Sequence, residues 1–180
     1  MKYACTLALV ASGIVMSSSF MVFAQLGTAG ELNTWTVKPV SRDHGPSREN
    51  TYVKTVRAAK QKDFDRLVFE FEGAFPTYRF EYLKSHFYES EGGRQRIRTA
   101  GKAFLLLTLL QVPADDKQVA LSDAESFVPK GRLRLPALWS IDDKELFEGT
   151  YDFVAGVSAR KPFRVTELSN PARLVIDFKH

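Results

Sequence analysis

Two six-residue stretches decide the fold: residues 66–71 read RLVFEF, and residues 173–178 read RLVIDF. In each stretch three large apolar side chains alternate with an arginine, a valine and an acid, which is typical of a β-strand with one buried face. Because a slip of one residue would bury the arginine and the acid, burial worth about 1.5 to 3 kcal/mol per large side chain fixes the register. We therefore predict two strands in equivalent environments. The side chains predicted to point inward are Leu67, Phe69, Phe71, Leu174, Ile176 and Phe178.

The period of two continues around the first stretch. Residues 78–82 alternate after a turn at residues 73–76, and this predicts a β-hairpin with residues 67–71. Residues 52–59 read as a preceding strand, and residues 102–112 as a central strand buried on both faces. The later strands are predicted at residues 133–141, 147–157, 163–168 and 174–178.

The connections carry weaker signals. Residues 84–101 are polar and contain a Gly-Gly pair, which predicts a long hairpin connection whose second arm begins near Arg94. One helical turn is predicted around residues 122–126, and Gly149 and Gly156 are predicted β-bulge positions. Because no longer segment has a helical period, the chain is predicted to be all-β.

The first 24 residues form an apolar leader with Lys2 near its start and Ala24 at its end. This pattern predicts a secretory signal peptide. An uncleaved anchor is the alternative, because the apolar run approaches the length that spans a bilayer. In either case we expect an exported protein in the periplasm or cell envelope. The single cysteine, Cys5, lies in the leader, so we expect no disulfide in the mature chain.

Composition sets the remaining organisation. Residues 25–50 are rich in Gly, Ser, Asn and Pro, and we predict a flexible lead-in with one short strand, followed by a single domain at residues 51–180. The net charge is +4 over 180 residues, with 44% hydrophobic and 26% charged residues. These values exclude a disordered, collagen-like, coiled-coil or polytopic membrane protein.

Four motifs in order carry a family resemblance: residues 64–71 (FDRLVFEF), 147–149 (FEG), 160–165 (RKPFRV) and 170–178 (NPARLVIDF). From about Tyr52 to the C-terminus the chain resembles the AMIN-like domain, a relative of the AMIN module. AMIN modules are compact β-sandwiches of two small sheets, found beside the catalytic domains of periplasmic amidases and at the start of pilus secretins, where they are thought to bind peptidoglycan. The resemblance implies a small two-sheet β-sandwich that serves as an exported cell-wall-binding module.

Catalytic chemistry is sparse in the sequence. His44, His86 and His180 are scattered, and none has a partner at metal-ligand spacing. The adjacent carboxylates at residues 115–116 and 142–145 are of a kind that mostly forms turns and helix caps. We therefore predict no catalytic residue, no metal site and no cofactor. A cell-wall hydrolase that depends on carboxylates is the less favoured alternative.

Three arginines form a possible binding stripe. Arg94, Arg96 and Arg98 alternate with other residues, so an extended segment would place them on one side at a spacing of about 6.6 Å. One interpretation is a solvated edge strand whose charge discourages pairing with another strand. The other is contact with an anionic polymer, because a guanidinium group grips carboxylate or phosphate in two places.

The polar faces of the two repeated strands also allow two interpretations. If the strands lie side by side, their charges could form cross-strand ion pairs of little energetic value. Alternatively these charges line a face that reads sugar hydroxyls and peptide amides, together with two arginines nearby in sequence. The residues concerned are Arg66, Glu70, Arg173 and Asp177, with Arg160 and Arg164 nearby.

The expected task is noncatalytic recognition of the cell envelope. The expected partner is cell-wall glycan or the stem peptides of peptidoglycan. The alternative is an envelope protein that docks through a sheet edge. Export argues against nucleic acid, and membrane contact is expected only if the leader is kept.

Overall fold

The computed structural model describes residues 32–47, 49–90, 93–125 and 127–180. The predicted leader and the first part of the lead-in lie outside these residues. In the described part of the chain, no helix is long and apolar enough to cross a membrane.

The described residues form eleven strands and one short helix. Their bounds are β1 Val40–Arg42, β2 Tyr52–Lys60, β3 Phe64–Glu72, β4 Thr77–Tyr82, β5 Phe87–Ser90, β6 Gly93–Arg96, β7 Ala103–Leu110, α1 Asp116–Ser122, β8 Leu138–Phe147, β9 Thr150–Val157, β10 Phe163–Leu168 and β11 Arg173–Lys179.

Two antiparallel sheets pack face to face. The larger sheet has the order β1-β4-β7-β9-β8, and the smaller one has the order β10-β11-β3-β2. Strands β5 and β6 form a separate two-stranded ribbon. This arrangement confirms the predicted all-β fold with two main sheets.

The two repeated stretches pair directly with each other. Strand β11 runs antiparallel to β3, with Leu174 opposite Phe69 and Ile176 opposite Leu67. All six side chains predicted to point inward are at most 2% exposed. Phe69 meets Phe153 of the larger sheet edge to face, with ring centroids 5.0 Å apart. The predicted register is therefore confirmed, and the core lies between the sheets.

The predicted hairpin between residues 67–71 and 78–82 is wrong. Strand β3 belongs to the smaller sheet and β4 to the larger one, so the turn at residues 73–76 carries the chain across the core. Gly73 has φ +93°, and a Cβ there would collide with the carbonyl oxygen of Asn50. Alternation shows which face of a strand is buried but not which strand lies beside it, and this explains the error.

Strand β7 is central, as predicted, but it is not buried equally on both faces. It lies between β4 and β9, and Leu105, Leu107 and Leu109 are fully buried. On the other face Leu106 and Leu110 are only partly buried. The reason is that this outer face is covered only in part, by the β5–β6 ribbon.

Several boundaries also differ from the prediction. Helix α1 begins earlier than predicted, because Asp115 caps it by accepting a 3.0 Å hydrogen bond from the backbone N–H of Gln118. Strand β8 begins at Leu138 rather than at residue 133. Gly149 lies in the β8–β9 turn with φ +83°, not in a bulge. Gly156 lies opposite the register shift in β8, close to its predicted role.

The later part of the predicted lead-in joins both sheets. The backbone N–H of Asn33 donates to the carbonyl of Val165, and that of Thr36 donates to the carbonyl of Phe163, each at 2.8 Å. Val40 of β1 is 2% exposed. A short strand in this segment was predicted, and the structure adds a backbone connection that covers the outer edge of β10.

Candidate binding surface

The smaller sheet turns a polar surface away from the core. We call the outward-facing side chains of its four strands the four-strand face, which comprises Arg57, Arg66, Val68, Glu70, Arg164, Thr166, Arg173, Val175 and Asp177. Strand pairing aligns Arg164, Asp177 and Arg66 in one row across β10, β11 and β3. Five of the nine predicted site residues, Arg66 among them, therefore lie on this face, whereas the other four do not.

Asp177 lies at the centre of that row and is 1% exposed. Arg66 donates from Nε to Oδ1 at 2.7 Å and from Nη2 to Oδ2 at 3.0 Å. Arg164 donates from Nε to Oδ2 at 2.9 Å. The hydrogen bond to Asp177 raises the pKa of Arg66 above its ordinary value. The cross-strand ion pair, one of the two interpretations of the sequence, is therefore formed, with the acid buried.

Two aromatic rings flank the arginines. The Arg164 guanidinium carbon lies 4.7 Å from the ring centre of Trp35 and 5.1 Å from that of Phe64. Arg66 lies 5.2 Å from the Phe64 ring. Both rings are partly exposed. We call Trp35, Phe64, Arg66, Arg164 and Asp177 the Asp177 cluster.

The sequence did not indicate either ring of this cluster as a site residue. Trp35 lies in the mostly polar lead-in, where Val37 and Val40 are the other apolar residues nearby, and Phe64 precedes the alternating stretch of β3. The only signal for Trp35 was its size, because a lone tryptophan in a polar segment needs an apolar surface to cover. The sequence does not say which surface that is.

The other end of the four-strand face is arranged differently. Glu70 accepts hydrogen bonds from Arg57 Nη2 at 2.8 Å and from Lys54 Nζ at 3.3 Å, both on β2. Arg173 lies opposite Glu70 in the register but forms no ion pair within the described residues. Its Nε atom is buried without a hydrogen-bond partner there. The charge of Arg173 is therefore not matched by a described acid.

The arginine stripe lies on the other side of the molecule. Arg94 and Arg96 are in β6, Arg98 follows it, and all three are exposed. Their ribbon packs on the outer face of the larger sheet, where Tyr88 and Ile97 contact Phe104 and Val154. Because the four-strand face and the stripe point in opposite directions, a single flat ligand cannot contact both.

Within the stripe, Arg94 has close neighbours, and those neighbours are exposed too. Its guanidinium carbon lies 4.1 Å from the Phe87 ring centre, and its Nε lies 3.5 Å from a Glu89 carboxylate oxygen. Exposed pairs of this kind hold side chains weakly. Arg160 belongs to neither group, since it lies over Tyr82 and donates to the carbonyl of Val37 at 3.4 Å.

A buried acid next to Arg66 has a structural role. Asp65 is fully buried and accepts hydrogen bonds from the backbone N–H groups of Ala137 at 2.6 Å and Leu138 at 2.9 Å. The Nε2 atom of His180 lies 3.0 Å from its other oxygen. These contacts tie β3 and the C-terminus to the start of β8, so they hold the two sheets together.

Other candidate sites are separate from the four-strand face. A cleft of about 830 Å³ is formed by loops at one end of the sandwich, with His44, Phe75 and Pro171 among its lining residues and none of the predicted site residues. Within the described ranges no group of three or more His, Cys, Asp or Glu side chains is arranged to hold a metal ion.

Comparison with known proteins identifies the family. The family model of the AMIN-like domain matches residues 51–180, which begins just before β2 and includes every later strand. Searches of curated proteins and of solved structures found no match. Trp35 and β1 lie before the matched region. Proteins with this domain are envelope-associated binding modules. The chain belongs to the AMIN-like domain family.

Proposed function

We propose that the protein is an exported, noncatalytic module that binds peptidoglycan through the four-strand face. The Asp177 cluster carries this proposal. It holds two guanidinium groups on one buried carboxylate, between two aromatic rings that remain partly exposed. Peptidoglycan offers the matching chemistry, since its stem peptides carry carboxylates and amides and its glycan carries sugar rings.

Pre-organisation favours this face over a flexible charged surface. An arginine side chain that is free in solution loses rotamer entropy when it binds. Asp177 already fixes Arg66 and Arg164, so part of this cost is met during folding. Their planar groups can still bond a ligand carboxylate or amide, and the rings of Trp35 and Phe64 offer flat apolar area.

The charge of the face supports an anionic ligand. Four arginines, at positions 57, 66, 164 and 173, face outward beside the two carboxylates of Glu70 and Asp177. Attraction between exposed charges weakens with ionic strength, because the screening length is only about 8 Å at physiological salt. We therefore expect binding of modest affinity that falls as salt rises.

Co-sedimentation with insoluble sacculi tests the proposal, and two triple variants locate the surface. The first, Arg66→Gln with Arg164→Gln and Asp177→Asn, alters the Asp177 cluster without leaving a buried charge unpaired. The second, Arg94→Gln with Arg96→Gln and Arg98→Gln, removes the stripe on the opposite side. We expect retention at low salt to be lost in the first variant and kept in the second.

The design separates specific binding from charge attraction. The stripe variant removes three positive charges, whereas the cluster variant lowers the net charge by one. If retention followed net charge alone, the stripe variant would lose more. A greater loss in the stripe variant would argue against the proposed surface. No retention of the unaltered protein at low salt would argue against the proposed ligand. Release of soluble muropeptides by the protein would contradict a noncatalytic role.

Docking of an envelope protein through a sheet edge has less support. Residues 33–36 cover β10, and the Gln118 side chain bonds both backbone groups of Val53 on β2. Strand β1 has three residues, and β8 carries acids at Asp142 and Asp143. Covered, short or charged edges disfavour the addition of another strand.

A further inference from the structure

We infer that the Asp177 cluster is a carboxylate site that accepts free carboxylates of the stem peptide and rejects the corresponding carboxamides. This inference rests on the proposed function, because it names the chemical group that the four-strand face reads. It involves Trp35, which lies outside the matched family domain.

The charges of the cluster leave room for one more anion. Asp177 carries a single negative charge and is 1% exposed, whereas Arg66 and Arg164 carry two positive charges. The two arginine side chains are 36% and 25% exposed, so both can be reached from solvent. A ligand carboxylate on the solvent side would balance the remaining positive charge. The two guanidinium groups would then lie between the Asp177 carboxylate and that of the ligand.

The hydrogen-bond donors are available for this second anion. A guanidinium group has five N–H donors. Arg66 and Arg164 each use Nε and Nη2 toward Asp177. Neither Nη1 atom forms a hydrogen bond to another residue in the described part of the chain. Each guanidinium group therefore keeps donors that Asp177 does not use.

The surroundings strengthen discrimination against a neutral amide. The Phe64 ring centre lies within 5.2 Å of both guanidinium carbons, and the Trp35 ring centre lies 4.7 Å from that of Arg164, so apolar ring surface borders each group. Lower local polarity strengthens a charge-assisted hydrogen bond. A carboxamide has no charge to balance the cluster, and its NH₂ group would bring donors against donors. Amidation of the ligand should therefore weaken binding.

The test compares two soluble disaccharide-peptide fragments of peptidoglycan, one with free stem-peptide carboxylates and one with carboxamides. Binding is measured by calorimetry and by the NMR signal of the Trp35 indole N–H. We expect the amidated fragment to bind at least tenfold more weakly, and equal binding of the two fragments would overturn the inference. Retention on sacculi without binding of either fragment would also overturn it, while the proposed function stands.

A small probe without any sugar or peptide tests the carboxylate site separately from the binding of peptidoglycan. Succinate should shift the Trp35 indole signal, and succinamide at the same ionic strength should not. If this difference appears but sacculi do not retain the protein, the carboxylate site stands and the peptidoglycan proposal fails. If neither compound shifts the signal, the carboxylate site is wrong.

The planar set of donors on the Arg164 guanidinium can be tested with two matched Arg→Lys variants, one in the Asp177 cluster and one in the stripe. Arg164→Lys keeps the charge and pairs with Asp177 as a point charge, but it loses the planar set of donors. We expect this variant to bind the free-acid fragment about tenfold more weakly, with the melting temperature showing that it folds. Arg96→Lys in the stripe is the control and should bind normally. Equal loss in both variants, or no loss in Arg164→Lys, would contradict the assignment.

Discussion

The two outer faces of this sandwich use arginine in different ways. On the four-strand face, Arg66 and Arg164 bond to an aspartate that is 1% exposed. On the outer face of the larger sheet, Arg94 meets a glutamate whose side chain is 77% exposed. The side chains are of the same type, but only the first pair is fixed in place.

The difference arises from what lies beneath each face. The larger sheet is capped by the β5–β6 ribbon, which buries its apolar residues against Phe104 and Val154 and leaves its arginines in solvent. In the described part of the chain no ribbon covers the smaller sheet, so its outer surface is formed by side chains of its own strands and by Trp35. The burial of the acid that the arginines bond, rather than the number of charges, therefore distinguishes a pre-organised binding surface from a solvated one.

The largest expected effect concerns the core that both faces share. Phe69 is fully buried and contacts Phe153 across the sheets. Phe69→Ala should lower the free energy of unfolding by about 3 to 5 kcal/mol, because it removes a large apolar group and leaves a cavity. Denaturant unfolding measures this value, and a near-neutral result would mean that the inward face of β3 is assigned wrongly.

A smaller effect separates the two faces directly. Asp177→Asn should lower the free energy of unfolding by about 1 to 3 kcal/mol, because two guanidinium groups lose their charged partner. The loss is reduced because both arginine side chains are partly exposed and solvent screens their charge. Arg94→Gln on the other face should change it by less than about 0.5 kcal/mol. Thermal or denaturant unfolding of both variants checks the comparison, and equal effects would contradict it.

The next prediction uses pH on the capped face. Burial raises the pKa of Asp152, whose Oδ2 accepts a 2.9 Å hydrogen bond from the Tyr88 hydroxyl. Because the native state holds this proton more tightly than the unfolded chain, the associated stability is lost as pH rises through the native-state pKa. Asp152→Asn should therefore raise the melting temperature at pH 7 relative to the unaltered protein. Below the ordinary Asp pKa the two proteins should match.

Asp43 provides a control of opposite sign. A backbone hydrogen bond from Gly45 and a side-chain bond from Thr77 lower the pKa of its carboxyl group. Asp43→Asn should therefore reduce stability at pH 7 and have little effect at low pH. If both variants shift the melting temperature in the same direction at pH 7, the assignment of these two environments fails.

The sequence was sufficient to predict the core because burial alone determines it. The matching stretches at residues 66–71 and 173–178 contain large apolar groups at alternate positions, and a slip of one residue would place Arg66 and Asp177 in the core. The same alternation predicted that Arg66 and Asp177 face outward, where an ion pair between the strands was one of two interpretations. The buried face depends on each strand separately, which is why it could be read from the sequence, whereas the ion pair also required the two strands to be neighbours.

The candidate site depended on features that local pattern does not contain. The turn at Gly73 crosses between sheets, Trp35 covers a strand more than a hundred residues away in the chain, and Glu70 bonds to β2 rather than to Arg173. Each is decided by which strands become neighbours in space. In the sequence, the arginines of the stripe and those of the four-strand face have the same alternating pattern, and only the fold places them on opposite sides of the molecule.

Oxidative footprinting of the protein bound to sacculi tests the central claim most directly. Trp35 and Phe64 report on the four-strand face, and Phe87, which is 38% exposed, reports on the stripe. The proposed surface predicts that binding protects Trp35 and Phe64 from oxidation and leaves Phe87 unchanged. Protection of Phe87 with Trp35 and Phe64 still fully reactive would show that the molecule binds through its other side.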